Sequence, residues 1–137
     1  MNDIEPRILP LVDALKATGL VQTFSSCEGH YRPEEQTIVD RNRAEVRFVP
    51  AEGATVKQVE DLLTYVLTRF KTRHGLIPVQ LGAHKQYTPI DENTVEETFV
   101  LDLRPFNRFD PPDRKRSDTD RAIEQVVKAI FEFRSTI

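Results

Sequence analysis

Residues 43–73, RAEVRFVPAEGATVKQVEDLLTYVLTRFKTR, change from the periodicity of a strand to that of a helix within one short stretch. From Arg43 to Val49 apolar and charged residues alternate, which predicts a half-buried strand. From Thr55 to Arg73 apolar residues recur at helical spacing, with Thr55 as the N-cap and Gly75 as the stop. A strand with one apolar face followed by an amphipathic helix predicts a sheet that helices cover on one side.

The same patterns recur on both sides of this stretch and complete the element order. The other predicted elements are a helix over Glu5–Thr18 that Gly19 ends, strands over Val21–Ser25, Ile77–His84 and Glu96–Arg104, a loop over residues 85–94, and a last helix that Ser117 or Asp118 caps. The order α-β-β-α-β-β-α with short connections predicts an α+β fold, in which a single, mainly antiparallel sheet of about four strands carries three helices on one face. We expect residues 1–137 to form a single domain.

Composition and charge narrow the classes of protein that this chain can belong to. It has 137 residues and a net charge of −3, so a wholly basic nucleic-acid binder is excluded. Its single cysteine cannot form an internal disulfide, and Asp3 and Glu5 stand where a signal peptide has basic residues. No segment approaches the ~18 consecutive apolar residues of a membrane span. We therefore expect a cytoplasmic protein with no membrane partner.

The second face of the predicted sheet collects polar side chains. Alternation along the strands places Arg47, Gln80, His84, Asp102 and Arg104 on the face away from the helices. An open polar face of this kind can bind a ligand, so Arg47, His84, Asp102 and Arg104 are candidate cofactor-binding residues. The alternative is a polar surface that is simply in contact with water.

The segment TFSSCEGH, Thr23–His30, contains the only cysteine of the chain and a histidine three positions after it. A thiolate and an imidazole at this spacing can converge on one metal ion such as zinc. A tetrahedral site then needs further ligands, for which His74, His84 and Glu28 are candidates. Alternatively, Cys27 could act as a nucleophile with His30 or His84 as its base.

The same segment allows two simpler interpretations. Ser25, Ser26, Glu28 and Gly29 can form a turn whose backbone N–H groups bind an anion or a polar small molecule, because Gly29 permits positive φ. The segment can also be no more than the end of a strand. Cysteine is among the most buried residue types, and serine and glycine are common in turns.

A second candidate segment, Arg104–Arg116, interleaves five basic residues with Phe106 and Phe109. Arginines flanked by aromatic rings can hold phosphates and stack on bases, which is the chemistry of nucleic-acid binding. The alternative is a proline-stiffened linker whose phenylalanines anchor it to the core.

The run ILPLVDALKATGLVQTFSSCEGH, residues 8–30, resembles the opening of the tRNA wybutosine-synthesising protein 3 family. In that family a helix precedes a strand that ends in Ser-Ser-Cys-Ser-Gly-Arg. The matching residues are Ser25, Ser26, Cys27 and Gly29. Glu28 and His30 stand where the family has a serine and an arginine, and the chain has no tryptophan where the family has a Trp-containing strand.

The resemblance implies an S-adenosylmethionine-dependent methyltransferase that modifies a nucleic acid and does not have a Rossmann-type fold. It implies that Ser25 and Ser26, in a turn with Gly29, bind the cofactor or substrate. Cys27 would shape the pocket, and Glu28 or His30 would transfer protons. Cys27, Glu28 and His30 are therefore the candidate catalytic residues.

Two alternatives to an enzyme stay open. The first is a non-enzymatic binding or regulatory module for a macromolecular partner, which the charged segments 31–43 and 85–97 favour. The second is a small metal-binding protein that uses Cys27 and His30. The expected ligand is a small molecule or a nucleic acid, and the first alternative adds a protein partner.

Overall fold

The computed structural model describes residues 4–36 and 41–136. It contains the helices α1 (Leu9–Ala17), α2 (Val56–His74) and α3 (Pro112–Arg134) and the strands β1 (Val21–Cys27), β2 (Ala44–Pro50), β3 (Val79–Pro89) and β4 (Val95–Pro105). A 3₁₀ turn, Pro33–Glu35, lies between β1 and β2. The predicted α+β class and the order α-β-β-α-β-β-α are confirmed.

The four strands form one antiparallel sheet in the order β1-β2-β4-β3, so β2 and β4 lie inside and β1 and β3 form the edges. β3 and β4 form a long hairpin whose register runs from Val79↔Pro105 to Pro89↔Val95. β2 pairs with β4 only from Ala44↔Leu103 to Phe48↔Phe99. The turn end of the hairpin therefore extends beyond β2.

The hydrophobic core lies between the helices and one face of the sheet. Val46, Phe48, Leu101 and Leu103 of the two inner strands are fully buried in it. The rings of Phe48 and Phe99 stack with their centroids 5.9 Å apart. Burying each such side chain contributes roughly 1.5–3 kcal/mol to folding, so the pairing of β2 with β4 is the central contact of the fold.

Helix α2 begins as the sequence predicts. Thr55 is its N-cap, and its hydroxyl accepts a hydrogen bond from the backbone N–H of Gln58 at 3.1 Å. The Gln58 side chain in turn accepts from the N–H of Thr55 at 2.9 Å, which completes a capping box. The apolar stripe then packs inward through its buried members, Val59, Leu62, Leu63, Val66 and Phe70.

Helix α3 begins earlier than predicted, and neither Ser117 nor Asp118 caps it. Pro111 is the extended N-cap residue and Pro112 opens the helix, where the missing N–H costs nothing. The Asp118 carboxylate lies inside the helix and accepts a hydrogen bond from Arg121 at 3.0 Å. Pro111 and Pro112 therefore start this helix and are not part of the linker that the sequence suggests.

The β3–β4 hairpin is longer than predicted. The expected loop over residues 85–94 shrinks to a turn in which the N–H of Ile90 donates to the Thr94 carbonyl at 2.9 Å. Tyr87 and Thr88 are good strand formers, so both strands continue to this turn. The segment 85–97, expected to be an exposed charged loop, is thus mainly sheet.

The first helix and strand also differ in their limits. α1 begins at Leu9 and not at Glu5, because Pro10 fits only the first turn of a helix. It ends before Gly19, whose φ of +73° makes the left-handed stop that the sequence predicts. β1 continues through Ser26 to Cys27. Within the described residues, every helix is too short or too polar to cross a membrane.

Candidate functional site

The Ser-Ser-Cys motif lies on strand β1, where alternation separates its side chains. A register shift between Thr23 and Ser25 interrupts the pairing with β2. Beyond it, Ser26 is opposite the buried Val46 on the core face, whereas Ser25 and Cys27 are opposite Arg47 and Glu45 on the open face, the face away from the helices. The structure therefore does not place the two predicted serine ligands on the same face.

The turn Glu28–His30 follows β1 and is held by a side chain from α3. The Arg116 guanidinium donates to the carbonyl oxygens of Glu28 at 2.8 Å and of Gly29 at 2.6 Å. It also lies over the Tyr31 ring, 4.7 Å from the centroid. Two carbonyls and one ring thus fix the turn against the helix.

Gly29 and Tyr31 are packed too closely for any other residue to replace the glycine without a shift. The φ of Gly29 is +90°, as its place in the turn predicts, and a Cβ there would lie 2.6 Å from the Tyr31 hydroxyl. Tyr31 is only 5% exposed, and its hydroxyl bonds to the Thr119 hydroxyl at 2.9 Å. Burial raises the pKa of the Tyr31 phenol, so its proton stays in this hydrogen bond.

Three potential metal ligands meet beside this turn. One ligand atom each from Glu5, Cys27 and His30 lies within 4.8 Å of the others. Glu5 comes from the segment before α1, and its carboxylate accepts a hydrogen bond from the backbone N–H of Glu28 at 2.9 Å. We call Glu5, Cys27 and His30 the donor cluster. It joins the predicted pair to a carboxylate that was predicted to lie in a helix.

His30 lies between two carboxylates. Its Nδ1 donates to Glu35 at 3.0 Å, and its Nε2 is 3.3 Å from an oxygen of Glu5. The hydrogen bond with His30 lowers the pKa of Glu35, so this carboxylate is ionised at neutral pH and only accepts. Nδ1 therefore carries a proton in this hydrogen bond, and Nε2 faces the Glu5 carboxylate at 3.3 Å.

The Cys27 thiol is half-buried. Burial raises its pKa, and a weak hydrogen bond from the Gly29 N–H at 3.5 Å offsets this only in part. Without a metal ion the thiol stays protonated at neutral pH, which acts against its use as a free nucleophile. A bound cation would reverse this, because metals stabilise the thiolate directly.

The open face of the sheet contains all the polar residues that the strand pattern assigns to it. Arg47 and His84 are both opposite Val100 of β4, Asp102 is opposite Gly82, and Arg104 is opposite Gln80. The Arg47 guanidinium donates to Gln86 at 2.9 Å and to Glu45 at 3.0 Å, so it crosses β4. Val100 has no exposed surface although it lies on this face.

Asp102 and Arg104 also interact with their neighbours on this face. Asp102 is 8% exposed, and a Cβ at Gly82 would come within 3.3 Å of its carboxylate. The Arg104 Nε lies 3.7 Å from the same carboxylate. Among the predicted ligand residues of the open face, Asp102 and Arg104 contact each other, whereas Arg47 is held by Glu45 and Gln86.

A cavity of about 870 Å³ lies beside residues 106–110, which we call the aromatic loop, and Tyr31 also lines it. Phe109 is 82% exposed, and the central carbon of the Arg108 guanidinium lies over its ring, 5.3 Å from the ring centroid. Phe106 is also well exposed. The two phenylalanines that could have anchored this segment to the core instead face solvent, beside Arg104 and Lys115 in the cavity wall.

Sequence patterns missed Glu5, Glu35, Tyr31 and Arg116. Glu5 was assigned to a helix, and Glu35 lies in a segment without periodicity. Tyr31 and Arg116 are 85 positions apart in the sequence, and no local pattern marks such a contact. One signal was available for Tyr31, since a lone aromatic residue in a polar segment often anchors it.

Comparisons with known proteins do not extend these observations. The chain matches no family model, no curated protein and no solved structure. A proposal about its function therefore rests on the arrangement of its own side chains.

Proposed function

We propose that this protein binds a divalent transition-metal ion, preferentially zinc, through Glu5, Cys27 and His30. The observation that carries the proposal is the position of His30. Its Nδ1 is bonded to one carboxylate while its Nε2 faces another at 3.3 Å, so a metal ion next to Nε2 would contact both side chains. A zinc ion there would be bound by an imidazole nitrogen, a carboxylate oxygen and a thiolate, all of which zinc accepts.

The distances fit a tetrahedral ion. Zinc bonds of ~2.0–2.1 Å to nitrogen and oxygen at a tetrahedral angle separate the two ligand atoms by about 3.3 Å. His30 Nε2 and Glu5 Oε2 are already 3.3 Å apart. The Cys27 sulfur lies within 4.8 Å of the ligand atoms of Glu5 and His30. Rotation of the Cys27 side chain would bring the sulfur to bonding distance of the ion.

The surroundings supply what a zinc ligand histidine normally has. A carboxylate on the other ring nitrogen fixes the tautomer and the orientation of the ring, and Glu35 provides it. The three ligands leave a fourth position for water or a substrate, as in catalytic zinc sites. A cavity of about 260 Å³ beside the turn is lined by His30, Glu28 and Arg116 among others, so His30 is the member of the donor cluster that borders it.

Metal analysis and cobalt spectroscopy test this proposal. We expect untagged protein to bind about one equivalent of zinc, and Co²⁺ to give a thiolate-to-cobalt absorption band. Glu5→Gln, Cys27→Ser and His30→Gln should each weaken binding by 10-fold or more, roughly the effect of losing a ligand or its support. His84→Gln on the open face is the matched control and should bind normally.

The metal proposal fails on either of two results. Zinc below about a tenth of an equivalent after equilibration at micromolar concentrations, or cobalt bound without a thiolate band, would exclude the donor cluster as a site. Binding that survives His30→Gln but is lost in His84→Gln would place the metal elsewhere.

We propose a second function, binding of single-stranded nucleic acid, at the aromatic loop. Phe106 and Phe109 offer two exposed rings for base stacking, and Arg104 and Arg108 are close enough to contact phosphates. Stacking on one ring contributes about 1–3 kcal/mol per base, so two rings can hold a short strand at low salt.

Fluorescence anisotropy with labelled oligonucleotides tests this second function. Phe106→Ala with Phe109→Ala should weaken binding at least tenfold, and binding should weaken as salt rises. Phe24→Ala is the matched control, because Phe24 is an exposed phenylalanine on the edge strand β1, outside the aromatic loop. Equal loss in the control, or no binding at low salt, contradicts the proposal.

S-adenosylmethionine and methyl transfer stay predictions of the family resemblance. Ser25 on the open face is the member of the motif best placed to meet a ligand there, next to Arg47. A thermal shift with S-adenosylmethionine or its demethylated product, reduced by Ser25→Ala and unchanged by Ser26→Ala, would support that cofactor. No shift with either compound would remove it.

A further inference from the structure

Strand β3 is an unprotected edge of the sheet. In the described part of the chain it pairs with β4 on one side and with no strand on the other. The opposite edge, β1, is shorter and is interrupted between Thr23 and Ser25. Bulges and short strands protect sheet edges from pairing with other chains, and β3 has neither over its eleven residues.

The outward backbone groups of β3 follow from its hydrogen bonds to β4. The N–H of Phe106 donates to the Pro78 carbonyl, and the N–H of Ile90 donates to the Thr94 carbonyl. Alternate residues from 78 to 90 therefore face β4, and those between them face away. Leu81, Ala83 and Lys85 thus direct their N–H and C=O groups toward the free edge.

Exposed apolar side chains lie at both ends of this edge. Leu76, just before β3, is 99% exposed. Tyr87 and Ile90, at the other end, are each exposed over more than half of their surface. Exposed apolar side chains therefore mark both ends of the free edge, and one strand added along this edge would cover both ends.

We propose that β3 pairs with β3 of a second copy of this chain, antiparallel, about a two-fold axis at Ala83. Ala83 then exchanges two backbone hydrogen bonds with the partner's Ala83. Leu81 is opposite the partner's Lys85. Val79 is opposite the partner's Tyr87, and Leu76 lies at the end that carries the partner's Ile90. Each exposed patch therefore meets the other patch of the partner.

The apolar ends select this register, because only an axis at Ala83 places Leu76 opposite the partner's Ile90. Charge disfavours one of the alternatives. An axis at Lys85 would place two ammonium groups directly opposite, which is destabilising in a sheet. An axis at His84 would oppose two imidazoles and move Leu76 away from the partner's Ile90. With the axis at Ala83, Lys85 meets a leucine, and its ammonium already lies over the Phe99 ring on the helix side.

The pairing ends at a dimer. A two-fold axis uses the same edge of both copies and joins two four-stranded sheets into one. The edges that remain are the two β1 strands, which are interrupted by the register shift. Growth into longer sheets is therefore blocked by the feature that protects β1.

Sedimentation equilibrium from about 1 µM to about 1 mM covers the affinities of weak complexes and tests the dimer. Leu76→Glu and Ile90→Lys should each raise the dissociation constant at least tenfold. Mixing the two variants should restore association, because the new carboxylate and the new ammonium then face each other. Phe24→Glu, on the β1 edge, is the control and should dimerise normally.

Two further variants test the register. Ala83→Pro removes an outward N–H that β4 does not use, so the fold should persist while the dimer is lost. In a Cys27→Ser background, Ala83→Cys should form an intermolecular disulfide, since hydrogen-bonded pairs place Cα atoms about 5.5 Å apart. His84→Cys should cross-link far less. The proposal is overturned if the chain stays monomeric over the whole concentration range. It is also overturned if Leu76→Glu and Ala83→Pro leave the dissociation constant of the dimer unchanged.

Discussion

Replacing Gly29 by alanine should destabilise this protein more than replacing its other left-handed glycines. Gly29 has a φ of +90°, where a Cβ costs about 1–2 kcal/mol. The new Cβ would also lie 2.6 Å from the hydroxyl oxygen and 2.7 Å from the Cζ of Tyr31. Contacts this short cannot persist, so the Tyr31 ring has to move.

Moving the ring breaks a buried hydrogen bond. The Tyr31 hydroxyl is bonded to the Thr119 hydroxyl at 2.9 Å, and Thr119 has no exposed surface. A buried hydroxyl without a partner costs about 1–3 kcal/mol. Together with the backbone strain, Gly29→Ala should lower the free energy of unfolding by about 2–5 kcal/mol.

Urea or guanidinium denaturation followed by circular dichroism measures this loss. Gly19→Ala and Gly53→Ala are matched controls, since both glycines have positive φ and neither added Cβ would meet an atom within 4 Å. They should lose only the strain of about 1–2 kcal/mol. The excess for Gly29→Ala is the contribution of the ring contact.

A double-mutant cycle identifies the ring as the cause. In a Tyr31→Ala background, Gly29→Ala should cost no more than the two control substitutions, because the atoms it would strike are gone. The reasoning is refuted if Gly29→Ala is no worse than Gly19→Ala in the native background. It is equally refuted if the cost is unchanged without the Tyr31 ring.

Three further predictions concern contacts described above. Thr55→Ala removes the N-cap of α2 and should cost about 1 kcal/mol in denaturation, whereas Thr55→Ser should be nearly neutral. Arg116→Ala leaves two carbonyls of the 28–30 turn without their donor and should cost about 2–3 kcal/mol; a loss below that of Thr55→Ala would contradict the role of the guanidinium. The hydrogen bond from the backbone N–H of Asn93 lowers the pKa of Asp91. The stability that this hydrogen bond contributes is therefore present above the ordinary carboxyl pKa and is lost as pH falls through the lower pKa of the folded state. A carbon-13 titration of Asp91 with an ordinary midpoint would disprove this.

The sheet and the helical layer could be predicted because their patterns are local. The alternation over 43–49 and the stripe over 55–73 each bury one face, and burial fixes both register and orientation. The same alternation correctly grouped Arg47, His84, Asp102 and Arg104 on the open face. What the pattern could not show is that Arg47 reaches across β4 to Gln86 and that Arg104 lies beside Asp102.

The candidate site could be predicted only in part. Cys27 and His30 are three positions apart, a spacing that predicts a shared ligand, and the structure places their ligand atoms within 4.8 Å of each other. Glu5 lies beside them because Pro10 delays the start of α1 and leaves Glu5 outside the helix, where its carboxylate accepts a hydrogen bond from the Glu28 N–H. The start of α3 was also predicted too late, because Pro111 and Pro112 were assigned to a linker, whereas Pro112 opens the helix.

The dependence of the 28–30 turn on α3 has a consequence during synthesis. Tyr31 and Thr119, and likewise Glu28 and Arg116, are 88 residues apart in sequence. A chain that is still being translated can form β1 and β2 long before α3 leaves the ribosome. Until then it contains Cys27 and His30 without the contacts that fix the turn between them. The donor cluster should therefore acquire its geometry only in the last step of folding.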